Sequence, residues 1–190
     1  MARVILEYDP PERFVAGTVG EPGQRTFFLQ ATGGGRTTSV ALEKQQVTVL
    51  AERVDALLDE VVRRSGGEAS VPAAPVADTE DTDPLDVPIE EDFRVGTMAL
   101  AWDGDDERVV IEAQAVTEED TDDTDDTATL IDETEEGPPL LRVRISGLAA
   151  RAFVKRALAL VAAGRPPCPF CGNPLDPAGH VCPRANGYRR

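Results

Sequence analysis

At 190 residues the chain can hold one domain with a real core, or a domain plus a small appendage. Its formal net charge of −16 is uneven: residues 68–92 carry nine acids and residues 117–136 eleven, with no Lys or Arg in either, which leaves 15 acids against 19 bases elsewhere and excludes a uniformly acidic protein. No run of 18 apolar residues exists and Met1 to Tyr8 contain no long apolar stretch, so neither a membrane helix nor a signal peptide is expected. The expected compartment is the cytoplasm, where clustered cysteines more often hold a metal than form disulfides.

Residues 3–8 predict a short first strand, ended by Asp9-Pro10-Pro11 because prolines cannot extend a ladder. Residues 13–19, 25–32 and 36–42 predict three more, separated by the turn at Gly20 to Gly23 and by Gly33-Gly34-Gly35. The period then changes. Val47, Leu50, Val54, Leu57, Leu58 and Val61 fall on one face of a helix over 43–64, stopped by Ser65-Gly66-Gly67. Residues 68–90 are Ala, Pro, Thr and acids, a composition that predicts a mobile segment. Strands follow over 92–102 and 107–116, with Asp103-Gly104-Asp105 as a hairpin turn. Residues 117–137 are acidic and expected to be disordered, and residues 139–145 alternate as a further strand. Ser146 caps a second helix reaching about Ala163, with Leu148, Ala152, Phe153, Ala157, Leu160 and Val161 as its apolar positions.

The order of elements suggests an internal duplication. Phe14-Val15-Ala16-Gly17-Thr18 matches Phe93-Arg94-Val95-Gly96-Thr97, and each copy continues as three strands and a helix, although identity between the halves is low. The expected fold is α+β: two βββα-like repeats forming an antiparallel sheet, or two abutting three-stranded sheets, covered by two helices, plus a C-terminal zinc knuckle or ribbon-like appendage. The expected division is 1–66 for the first repeat, 67–91 for an acidic flexible linker, 92–165 for the second repeat and 166–190 for the zinc-binding segment. Phe14 and Phe93 are read as core residues.

The chemistry concentrates at the end of the chain. All three cysteines and the only histidine fall in one 15-residue window, as C-x2-C-x8-H-x-C at Cys168, Cys171, His180 and Cys182. Zn²⁺ takes four N and S ligands in a tetrahedron, and these residues supply four. Cys168-Pro169-Phe170-Cys171-Gly172 has the form of a zinc knuckle, whose glycine permits the tight backbone that turns amides toward the sulfurs. His180 and Cys182 differ by two, so an extended segment points both the same way. Four ligands close the site, which makes the zinc structural rather than catalytic. A C-x-x-C redox pair is the alternative, but the strand–motif–helix context of that chemistry is absent.

Other motifs are weaker. Gly33 to Thr38 lacks the spacing of a phosphate loop and sits between strands, and the acids at Asp120 to Asp126 lack the glycine and terminal glutamate of a calcium loop. From Pro139 onward there are nine Lys or Arg and one acid, Asp176. Arg184, Arg189 and Arg190 are therefore candidate anion or nucleic-acid contacts on a zinc-folded platform. With its only histidine in the metal window, the chain offers no Ser/His/Asp arrangement.

The whole chain, and C-P-x-C-G-x-P-L-D-P-x-G-H-x-C-P-R-x-N-G-Y at its end in particular, resembles an uncharacterised conserved actinobacterial protein family, a domain of unknown function. The resemblance implies an intracellular protein without assigned activity and supplies no catalytic residue. The resemblance also implies a gene neighbourhood with phosphomutase-like and lipid-kinase-like proteins, an association that hints at phosphate metabolism or signalling. Together these readings point to a non-enzymatic, zinc-binding cytoplasmic adaptor or regulatory partner of another protein. The alternatives are a nucleic-acid-binding module using the basic C-terminal third and an accessory subunit in phosphate chemistry.

Overall fold

The computed structural model describes residues 3–76, 79–117, 136–164 and 168–172, together with 175, 182 and 184. Among these, seven strands and two helices follow in the order β1 (Ile5–Tyr8), β2 (Arg13–Val19), β3 (Thr26–Gly33), β4 (Arg36–Leu42), α1 (Lys44–Arg64), β5 (Glu91–Asp103), β6 (Arg108–Ala115), β7 (Leu140–Ser146) and α2 (Gly147–Ala162). Local chemistry sets the boundaries. Gly34 and Gly35 both take left-handed φ, +60° and +74°, which closes β3 onto β4 with a two-residue turn. The Glu43 amide donates to Gln46 Oε1 at 2.8 Å to start α1, and Gln46 Nε2 donates to the Val95 and Gly96 carbonyls of β5. Ser146 Oγ accepts from the Ala149 amide to start α2. The β5–β6 hairpin is longer than a two-residue turn. Asp103 Oδ1 accepts from the Asp105 and Asp106 amides, and the left-handed residue is Glu107 at φ +51°.

The strands form one sheet in the order β1-β7-β6-β5-β4-β3-β2. The expectation of an antiparallel sheet, or of two abutting sheets, is corrected: β4 pairs with β5 in parallel, and so does β1 with β7. The connection from β4 to β5 runs through α1, and a helical crossover returns the chain to the end where β4 began, which makes the next strand parallel.

The sheet cannot be flat. β1 and β2 lie at its opposite edges, yet only residues 9–12 join them. A flat sheet would separate those edges by about 29 Å, six strand spacings, whereas the link from Tyr8 to Arg13 spans at most about 17 Å. The sheet therefore curls until its edges approach. Tyr8 of β1 shares a buried 2.7 Å hydrogen bond with Thr38 of β4, and the Glu12 amide donates to Thr32 of β3. Tyr8 and Thr38 face each other across the inside of the curl. Both helices pack on this inner face, so that Ala16, Leu29, Val40, Val95, Ile111 and Val143 share one core with Val47, Val54, Leu58, Phe153 and Val154. The halves of the chain thus contribute to a single core. Phe14 stacks on Phe153 of α2 with ring centroids 4.9 Å apart, and Phe14 and Phe93 both pack against that core.

The helix faces differ in how well they follow their period. α1 buries Val47, Leu50, Ala51, Val54 and Leu58, as its pattern requires. α2 buries Ala150, Arg151, Phe153, Val154 and Ala157, while the expected core residue Leu148 is exposed. The rotation follows from Arg151, which is only 3% exposed and reaches α1, where it donates to Asp55 and, at 2.6 Å, to Asp59. Its Nε donates to the Pro72 carbonyl at 3.0 Å.

Among the described residues of 68–90, a segment expected to be mobile, there is no helix or strand, but contacts with the body hold several of them. Val71 packs into the main core beside Gly147 at the start of α2. The chain then follows α2, where Lys155 pairs with Glu80 and Arg156 with Asp81. It rounds the β2 edge, where Arg156 Nε also donates to the Ala16 carbonyl at 2.8 Å. Finally it crosses the outer face of β2–β4. Leu85 packs there with Val15, Phe28 and Ala41, and Gln30 brackets Asp86, donating to its carbonyl and accepting from its amide. Acidic composition alone misses these anchors, because their partners Arg13, Gln30 and Arg156 lie far away in sequence. The acidic segment 117–137 lies outside the described residues except at 117, 136 and 137. No described helix is long and apolar enough to cross a membrane.

Candidate metal centre

Proline cannot donate a hydrogen bond, so the Cys168–Gly172 turn takes its donors from Phe170, Cys171 and Gly172. The Gly172 amide donates to the Cys168 carbonyl at 2.8 Å, and Gly172 adopts a left-handed φ of +77°. A side chain there would be strained, which is the physical content of the C-x2-C-G pattern. The turn aims the amides of Cys171 and Phe170 at the Cys168 sulfur. Donation from the Cys171 amide, opposed by burial and reinforced by the Phe170 amide and the two neighbouring thiols, brings the Cys168 thiol down from 9.0 to about 6.

Cys182 returns to this turn from fourteen residues along the chain, and its sulfur lies 3.8 Å from that of Cys168. The sulfurs of Cys168, Cys171 and Cys182 all lie within 4.8 Å of one another. None of the three is joined in a disulfide, and Cys168 and Cys182 are buried. Two thiolates bound tetrahedrally at about 2.3 Å from one ion sit about 3.8 Å apart, so this spacing fits a shared metal. The cluster can hold a metal ion. The fourth expected ligand, His180, lies outside the described residues.

Of the candidate anion contacts, Arg184 is exposed and donates to the Phe170 carbonyl at 3.2 Å, bracing the turn. Arg189 and Arg190 lie outside the described residues. The basic C-terminal third looks different once folded. Arg142 pairs with the fully buried Glu112 at 2.7 Å, and Arg144 with Asp9, Asp103 and Asp106. With Arg151, Lys155 and Arg156 likewise paired to Asp55, Glu80 and Asp81, five of the six described bases after Pro139 are engaged with acids of the chain itself. A net charge summed along the sequence could not show this, because each acid partner comes from another element.

No curated protein matches this chain, and no solved structure does. A family model described as "Protein of unknown function (DUF3090)" matches residues 6–182, a span that takes in the curled sheet, both helices, the acidic segment between them and all three cysteines. The chain belongs to this DUF3090 family, with the cysteine cluster inside the matched region.

Proposed function

We propose that Cys168, Cys171, Cys182 and His180 hold a structural zinc ion, and that the chain acts without catalysis as a cytoplasmic adaptor or regulatory partner of another protein. The observation that carries this is the sulfur triangle: Cys182 meets the Cys168–Cys171 turn so that three sulfurs lie within 4.8 Å of one another, with two backbone amides directed at one of them. Four N and S ligands fill a tetrahedron and leave no open position for substrate, which favours a structural ion. Bound there, zinc would cross-link a segment too small to form a core of its own. The two three-strand-and-helix units fit descent by duplication, with the helices sharing one core.

The test begins with metal analysis of the purified chain, expected to give one zinc per molecule. Less than half an equivalent, together with three freely titratable thiols, would overturn the metal reading. For the binding role, affinity capture at physiological salt is expected to return one stoichiometric protein partner. Salt-sensitive nucleic-acid binding that disappears on removal of residues 183–190 would instead favour the nucleic-acid alternative. That alternative is the weaker one, because Arg142, Arg144, Arg151 and Arg156 of the basic C-terminal third pair with acids of the chain itself.

A further inference from the structure

The outer face of β2–β4 is built in three cross-strand rows: Gly17, Phe28 and Ala41; Val15, Gln30 and Ser39; Arg13, Thr32 and Thr37. A sheet face permanently covered by the fold would be expected to carry apolar residues on every row, as the inner face does. Here only the first row and Val15 are apolar, and the rest presents hydrogen-bonding side chains. The segment from Asp81 to Asp86 lies over these rows, bending at Asp83, whose amide donates to Asp81 Oδ1.

Three kinds of contact read it. Arg13 forks onto the Asp81 carboxylate, Nε to Oδ2 at 2.5 Å and Nη2 to Oδ1 at 2.9 Å, and also donates to the carbonyls of Asp83 and Pro84. Gln30, itself 1% exposed, bonds both backbone groups of Asp86, at 3.0 Å to its carbonyl and 2.8 Å from its amide. Leu85 fills a notch that exists because residue 17 is glycine: a Cβ there would land inside the Leu85 side chain. From the edge, Arg156 adds contacts to the Asp81 carboxylate and to the Asp81 and Asp83 carbonyls. A forked arginine for an acid, a pocket for one leucine and a side-chain amide that reads the backbone are the parts of a linear-motif site.

We propose that this outer face is a peptide-recognition site, occupied in the resting protein by its own Asp-Thr-Asp-Pro-Leu-Asp segment and open to an acidic Pro-Leu peptide of a partner when that segment lets go. Release would expose Leu85 and Ile89 of the segment together with Val15, Phe28 and Ala41, and would return the Arg13, Arg156, Asp81 and Asp86 charges to water; a partner peptide of the same pattern would cover them again. The inference rests on reading the chain as a binding protein and gives its partner a chemistry; it involves none of the cysteines.

Two measurements test it. In the wild-type protein, amide exchange at Asp83 and Asp86, whose amides donate to Asp81 Oδ1 and Gln30 Oε1, is expected to run at least roughly 100-fold faster than at the buried β3 amides and to quicken further at 0.5 M salt. Exchange of Asp86 at the rate of Leu29 would overturn the proposal, since the segment would then open only with the whole fold. In the full-length Asp81→Ala, Leu85→Ala double variant, a labelled peptide of residues 79–90 is expected to bind at least about tenfold more tightly than to wild type, whose own segment competes. Adding Gln30→Ala is expected to abolish that binding. A folded variant that binds no better than wild type, or that takes a scrambled peptide equally well, would overturn the site. If the double variant does not fold, the exchange measurement on wild type decides. Failure here with a partner still captured would leave the adaptor reading standing and remove only this site.

Discussion

At the scale of single residues, two positions connect local chemistry to a measurable outcome. Cys171 belongs to the sulfur cluster and contributes nothing to the main core, so Cys171→Ser is expected to release the metal and to make the chain beyond residue 168 sensitive to protease. The thermal transition of the body should stay within about 2 °C, because no core contact is lost. Collapse of that transition would make the cysteine segment integral to the fold. Asp81 gives a pH signature. The Arg13 side chain, hydrogen-bonded to its carboxylate, holds Asp81 below its ordinary value of 3.8, against the opposing effect of burial. A carboxylate depressed by folding adds stability above its unfolded pKa and loses it as the pH falls through its folded value. Asp81→Asn is therefore expected to be less stable than wild type at pH 7, with the gap closing as the pH drops below about 4. Urea midpoints at both pH values check this, and a pH-independent gap would sink it. The signal for Gln30 in the sequence was slight: one amide amid the apolar residues of a strand.

At the scale of elements, the two helices show when periodicity can be read. α1 has a polar face dense in charge, so its apolar positions stand out and Leu58 is fully buried as expected. α2 is apolar nearly all round, and its few charges mislead, because Arg151 is buried against α1. The structure sets the phase by that buried guanidinium. Leu148→Ala should accordingly change stability by less than about 0.5 kcal/mol, whereas Val154→Ala should cost about 2 kcal/mol for the cavity it leaves. Chemical denaturation of the two variants separates the faces, and the reverse order of costs would restore the phase expected from the sequence. The strands were legible because their apolar runs are bounded by proline and glycine. Their neighbours were not, since pairing depends on where the chain goes between them.

At the scale of the whole molecule, β1 stands alone in sequence but pairs with β7, and Tyr8 reaches Thr38 across the curl. The two halves therefore complete one another. A chain cut to residues 1–66 would lose the partner of β1, the outer neighbour of β4 and the α2 face that meets α1. It is expected to show no cooperative unfolding by circular dichroism, while the full chain unfolds its body in one transition. Cooperative folding of the fragment would establish the first unit as a domain in its own right. The sequence by itself determined where the elements begin and end, because periodicity, proline and glycine act over a few residues. It also brought out the cysteine and histidine window, since ligand type and spacing are local properties. Only the tertiary structure decided that the sheet is mixed and curled, that the described residues of the acidic segment 68–90 are anchored, and that five bases of the C-terminal third pair with acids from other elements. Each of these depends on residues from distant parts of the chain meeting in space, and composition averages over such meetings.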